Sequence, residues 1–263
     1  MATFAELLAT KRLKVGTYIG EFASPGIGQM LKVAGCEFAF VDMEHSGFSF
    51  ETVKSLLRHL HDAGIATLLR PPSKNDHHIA RACDVGAQGL IPPMIGSEAQ
   101  ARALVQQIKY PPLGTRGAAF AIAHDDYIPR PVADVVKYSN SKTSAVALME
   151  TTEAVDNADS IASVKGVDCL WIGHFDLSNS LGIPGEFENA IFKKATTKIM
   201  DSATKNSLSV GRLTGSPDEA EILFAEGCDL ICYSGDIWLF TGALSQGVKA
   251  VRDRIGEAVA GGN

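Results

Sequence analysis

The feature that most limits what this chain can fold into is a recurrence of eight short apolar runs, at residues 15–19, 38–42, 66–70, 89–92, 145–150, 168–172, 207–213 and 230–233. Each run is continuous rather than alternating, the pattern of a strand covered on both faces. Between them lie stretches with helical apolar spacing, at 50–63, 76–85, 97–108, 154–163, 189–205 and 217–226. Ser97 and Ser216 stand where helix caps are expected. Gly35, Gly64, Gly86, Gly166 and Gly227 each stand shortly before a strand, where a left-handed residue ends a helix. Eight buried strands joined by helices predict an α/β fold, a (β/α)8 TIM barrel, with 1–263 as a single domain. An open doubly wound sheet is the alternative. The longest irregular stretch, 110–131, follows strand four and is long enough to be a functional loop or an interface.

In such a barrel the C-terminal strand ends converge on one face, and active sites are built there. Glu150 and Asp176 close neighbouring runs, with no lysine or arginine beside either in sequence. Two carboxylates so placed are costly unless something positive sits between them. A divalent cation with oxygen ligands is the simplest candidate, and solvated loop acids are the alternative. His45, after Val41-Asp42-Met-Glu44, is the best acid/base candidate, because imidazole titrates near neutral pH. Arg70 ends strand three and can anchor a carboxylate in a fork or form a rim salt bridge. Strand seven ends in Gly211-Arg212-Leu213-Thr214. Lys142 and Lys165 precede strands five and six and so belong to the opposite face. That placement leaves no amine for a Schiff base, and carbanion chemistry would have to be electrostatic and metal-assisted. His59, His61, His77 and His78 fall on helices and are expected at the surface, and Arg116 in the long loop is expected to be structural.

A net charge of −6 without any block of like charges argues against nucleic acid. No apolar stretch reaches the length of a membrane span, and the start of the chain has the spacing of a short amphipathic helix, not a signal peptide. Five scattered cysteines without a Cys-x-x-Cys pair point to reduced thiols in a cytoplasmic protein. Motifs for dinucleotides, nucleoside triphosphates, zinc proteolysis and α/β-hydrolase chemistry are missing.

Val41-Asp-Met-Glu-His45, Arg70-Pro, Asp84-Val-Gly-Ala-Gln-Gly89, Tyr110-Pro-Pro-x-Gly-x-Arg-Gly117, Glu150 and Ile172-Gly-x-x-Asp-Leu-Ser178 together resemble the HpcH/HpaI aldolases. These are metal-dependent pyruvate aldolases related to 4-hydroxy-2-oxoheptanedioate aldolase, and the resemblance runs from about Gly16 to Gly235. It implies a barrel of the phosphoenolpyruvate/pyruvate type. It implies that Glu150 and Asp176 bind Mg²⁺, with Mn²⁺ or Co²⁺ as alternatives, together with water and the oxygens of a 2-oxo acid. His45 would be the acid/base, oriented by Asp84 with Asp42 in the same network. Arg70 would stabilise the enolate, and the backbone amides of Gly173, His174 and Phe175 would hold the substrate carboxylate. The implied reaction is reversible aldol cleavage of a 4-hydroxy-2-oxo acid to pyruvate or hydroxypyruvate and an aldehyde. Oxaloacetate decarboxylation through the same enolate, as in macrophomate synthase, is a second reading, and a non-catalytic metabolite-binding barrel a third. The family implies a homo-oligomer, a hexamer built from dimers, with a C-terminal helix on a neighbour. The apolar stretch 237–248 suits that role or that of an eighth barrel helix.

Four positions depart from the family pattern. Gly173-His-Phe-Asp-Leu-Ser178 replaces Gly-Pro-x-Asp-Leu-Ser, Tyr18 stands for a tryptophan, and His124-Asp-Asp126 replaces a more basic stretch. Arg212 lies near where an apolar residue shapes the aldehyde pocket. An arginine and a histidine at the mouth, Arg212 and His174, lead us to expect an acidic or polar acceptor.

Overall fold

The computed structural model describes residues 3–255. Its eight parallel strands are β1 (Lys14–Ile19), β2 (Phe38–Asp42), β3 (Ala66–Arg70), β4 (Gly89–Leu90), β5 (Ser144–Met149), β6 (Val167–Ile172), β7 (Ser209–Thr214) and β8 (Leu230–Gly235). They pair in chain order and β8 returns to β1, so the sheet is a closed barrel, not an open one. The expected helix 154–163 is two short helices, Thr152–Asp156 and Ala158–Ala162. They break at Asn157, whose side-chain amide donates to Gly96 O at 2.8 Å.

Strand residues alternate between two apolar compartments. Phe38, Phe40, Ala66, Leu68, Val146, Leu148, Cys169 and Trp171 fill the barrel interior. Ala39, Val41, Leu69, Ala145, Ala147, Leu170, Ile172 and Val210 pack outward against the helices. Inside, Trp171 meets Phe40 edge to face, with ring centroids 5.3 Å apart. Burying such an indole contributes roughly 3 kcal/mol. Room for it comes from Gly211, where a Cβ would lie 2.1 Å from the indole, so Gly211→Ala would break this layer. The helix Phe4–Leu8, started by a Thr3/Glu6 capping box, closes the N-terminal end, with Phe4 packed on Phe38.

Helices run antiparallel to the strands they follow, and this decides where the loops lie. The helix Glu98–Ile108 descends to the N-terminal face, so the long irregular stretch after it lies at the base of the barrel. There Arg116 pairs with Asp84 at 2.8 Å and Arg58 pairs with Asp126 at 2.9 Å. The last helix, Asp236–Ile255, behaves differently from the others. Only Asp236 is buried, and Trp238, Leu239, Phe240, Leu244 and Val248 are exposed. Beside it an apolar groove lined by Leu13, Val15, Ala220, Phe224 and Ile231 lies open along β1 and β8. Among the described residues no helix is long and apolar enough to cross a membrane. All five cysteines are free, four of them buried.

Candidate active site

Extending each interior-facing series by one more step gives the polar rim. Asp42 follows Phe38 and Phe40, Arg70 follows Ala66 and Leu68, and Glu150 follows Val146 and Leu148. All three therefore point into the mouth by the same period of two that builds the core. The mouth is a cavity of about 450 Å³, and His45, Arg70, Glu150, Gly173, His174, Phe175 and Asp176 line it.

Asp42 is fully buried and saturated with donors. Arg70 donates to both its oxygens, Nε at 2.7 Å and a terminal nitrogen at 2.8 Å. Tyr18 Oη donates at 2.8 Å, and the amides of Glu44 and His45 at 2.9 and 3.2 Å. Burial opposes ionisation of Asp42, but the Arg70 guanidinium and the other donors outweigh it and hold the carboxyl below its usual range. The pair fixes the guanidinium plane. Even counting the 3.2 Å contact to Glu44, two of its five N–H groups remain for a ligand.

Glu150 is the opposite case. It is 3% exposed, and among the described residues its one hydrogen bond comes from Met94 N–H at 2.6 Å. Burial pushes its carboxyl up to about 7; Asp176 adds to this, while the Met94 amide and Arg70 act against it. Gly173 permits its position, because a Cβ there would lie 2.8 Å from the Glu150 carboxylate. Asp176 is exposed in the first turn of the helix His174–Ser180. Glu44, raised by burial and by the nearby acids, adds a third carboxylate. Hard oxygen donors, a buried acid without a bound cationic side chain and no cysteine in the lining all suit a divalent cation. Among the described residues no three His, Cys, Asp or Glu side chains form a complete cage. A cation here would complete its coordination with water and substrate.

Other sequence expectations meet different fates. His45 is on the rim with its side chain 62% exposed, 3.6 Å from Glu44. Asp84 is elsewhere: it ends the descending helix Asp76–Asp84 at the base of the barrel, bonded to Arg116, so within the protomer it does not orient His45. Gly173 N–H donates to Met149 O, which leaves His174 and Phe175 as first-turn amides without an intrahelical acceptor. The His174 side chain is buried against Phe175 and Phe187, and burial, with the field of Arg212, pushes its pKa down to about 3. Arg212 is out of phase with the interior residues Gly211 and Leu213. It faces the helices, bonded to Glu219 at 2.9 Å beside Phe192, and does not line the mouth. His61 is half-buried, not a surface residue, bonded to Thr67 at 3.0 Å, and burial pushes it down to about 4.

Sequence reasoning passed over Glu44 and Met94. Glu44 lies two residues beyond the in-phase Asp42, which was a usable signal. Met94 acts through its backbone, in a left-handed conformation (φ 61°) that turns its amide onto Glu150, and its side-chain type gave no sign of this.

The sequence model of HpcH/HpaI aldolase/citrate lyase matches residues 21–239. The chain belongs to that family. A 4-hydroxy-4-methyl-2-oxoglutarate aldolase of Chaetomium globosum is 32% identical over 216 residues, 80% of each chain. A hydroxypyruvate/pyruvate aldolase of Deinococcus radiodurans is 34% identical over 180 residues, 68% of this chain and 64% of the relative. The crystal structure of an HpcH/HpaI aldolase from Desulfitobacterium hafniense superposes with a TM-score of 0.90 at 29% identity, covering 96% of this chain and 97% of the other. This family member is an aldolase, a carbon–carbon lyase.

Proposed function

We propose that this aldolase cleaves a 4-hydroxy-2-oxo acid reversibly to pyruvate or hydroxypyruvate and an aldehyde, with a divalent cation, Mg²⁺ foremost, held by Glu150 and Asp176. The observation that carries this reading is the pairing, in one cavity, of a guanidinium locked by Asp42 with a buried acid that lacks a cation. When bound, the cation supplies Lewis acidity toward the oxygens of the 2-oxo acid. The free N–H groups of Arg70 face the oxygen that gains charge as the enolate forms, and their fixed orientation is what makes them effective. The first-turn amides of His174 and Phe175 receive the substrate carboxylate. His45, exposed on the open rim, takes the proton from the C4 hydroxyl as the C3–C4 bond breaks. It returns a proton in the reverse direction.

The test is pyruvate release from 4-hydroxy-2-oxo-4-phenylbutanoate and from 4-hydroxy-2-oxoheptanedioate, which would leave an uncharged and an acidic aldehyde respectively, after EDTA treatment and after adding back Mg²⁺, Mn²⁺ or Co²⁺, with Glu150→Gln alongside. Metal-restored release that the variant lacks is expected. No release with any cation would overturn the reading. The exposed face of the helix Asp236–Ile255 and the open groove along β1 and β8 support a homo-oligomer in which this helix seats on a second copy, with a hexamer built from dimers as the assembly. Light scattering would then give an oligomer that Leu244→Glu dissociates. Four buried free thiols accord with a reducing, cytoplasmic setting.

A further inference from the structure

The cavity has two halves. Beyond the polar groups that face the 2-oxo acid, its walls are Tyr18, Phe40, Leu148, Trp171, Leu213 and Trp238. Among the described residues the only lysine or arginine in its lining is Arg70, already bonded to Asp42 and in contact with Glu44. Arg212, which could have met an acidic acceptor, faces the other way and is bonded to Glu219. At the surface of the protomer the wall is continued by Ile237, Trp238 and Phe175, which are 36%, 50% and 58% exposed in the single chain, the first two at the start of the helix proposed to seat on a second copy. Trp238 is not loose: its ring lies 5.3 Å from that of Tyr18, itself anchored to Asp42.

A second cavity of about 690 Å³ adjoins the first and shares His174, Phe175, Leu213 and Trp238 with it. Phe187, Tyr233 and Leu239 add apolar lining beside the neutral polar Ser234 and Gln246, and among the described residues its one acid, Glu219, is bonded to Arg212. A substituent that leaves the mouth between Leu213 and Trp238 therefore meets mainly apolar surface and, among the described residues, no lysine or arginine in the lining to pair with. An ionised carboxylate in that place would lose hydration without a partner. An apolar group would gain burial.

We propose that the acceptor aldehyde of this enzyme is uncharged and carries a bulky apolar substituent, aromatic or long-chain aliphatic, selected by Leu213 and Trp238. This inference rests on the pyruvate-aldolase reading above. It separates this chain from its relative named for 4-hydroxy-4-methyl-2-oxoglutarate, whose name implies a second carboxylate.

The experiment reads the two halves separately. Exchange of the pyruvate methyl protons in D₂O with Mg²⁺, followed by NMR, reports enolisation without any acceptor. Aldol addition of pyruvate to benzaldehyde and to succinic semialdehyde, normalised to that exchange, reports acceptor choice. Benzaldehyde is expected to give a kcat/KM at least ~10-fold higher, the scale on which apolar pockets discriminate. Trp238→Ala should lower that ratio by roughly 10-fold. Leu213→Arg, which places a cation in the wall, should invert it, and this gain cannot arise from misfolding. Exchange together with a preference for succinic semialdehyde would overturn the acceptor assignment alone. Absence of exchange would overturn the pyruvate reading and this assignment with it.

Discussion

Both ends of the barrel bury charges, and they treat them differently. At the base, Lys14 is fully buried and its ammonium lies 2.7 Å from Asp229, which also accepts from Ser209 and from the amide of Val210. Arg116 is matched to Asp84, and Lys109 donates to the carbonyls of Asn140 and Thr143. At the mouth, Asp42 is matched as completely, but Glu150 is not. Matched buried charges hold a structure together; a buried acid left without a cation is held in place by the fold for something that is not part of it. The contrast therefore separates structural from catalytic electrostatics without reference to any relative.

That separation can be broken by substitution. Lys14→Met leaves Asp229 buried and unpaired, and should cost about 3–5 kcal/mol of stability. Thermal or denaturant unfolding measures this, and the activity of the folded fraction should be unchanged because nothing in the mouth moves. A loss of activity at full stability would erase the distinction between the two ends. Arg70→Lys should do the reverse. A lysine offers a point charge where Asp42 and the developing enolate both use the planar fork, so kcat should fall about 10²–10³-fold. Its melting temperature should fall less than that of Lys14→Met, and steady-state kinetics beside a melting curve checks both halves. A wild-type kcat would remove Arg70 from the chemistry.

The barrel was legible because strands buried on both faces are written as continuous apolar runs, and a run such as Phe38–Asp42 has few other places to go. Asp42, Arg70 and Glu150 were legible for the same reason, since each ends such a run in phase with its interior residues. Arg212 shows where this fails. It sits in a strand end of the right kind, but one residue out of phase, and in a strand one residue is the difference between the cavity and the helix layer. Asp84 is separated from His45 within the protomer by direction: a motif names residues in order, while the face they reach depends on whether the chain is ascending or descending at that point. The left-handed Met94 was not legible, because it acts through its backbone, and the apolar stretch 237–248 read equally well as a barrel helix or as a helix with an exposed face, because apolar spacing does not say which surface covers it.

The smallest effect tests the mouth most directly. Glu150 has a carboxyl pushed up to about 7 by burial, against about 4.5 in an exposed setting. The sign follows from proton counts: between about pH 4.5 and 7 the folded protein keeps a proton on Glu150 that the unfolded chain has lost. Without metal, the contribution of Glu150 to stability therefore falls as pH rises through that window and stays lost above it. A cation needs the ionised form and must displace the proton below pH 7, so its apparent affinity should drop about tenfold from pH 8 to pH 6 and level off above pH 8. Isothermal titration with Mg²⁺ at several pH values measures this in the absence of substrate, and proton release into the buffer should appear only on the acid side. The rise in melting temperature on adding Mg²⁺ should accordingly be larger at pH 8 than at pH 6, and Glu150→Gln should flatten the pH dependence of the metal-free protein. If Mg²⁺ affinity were the same at pH 6 and pH 8, the cation would not be meeting the buried acid, and the unmatched charge at the mouth would need another explanation.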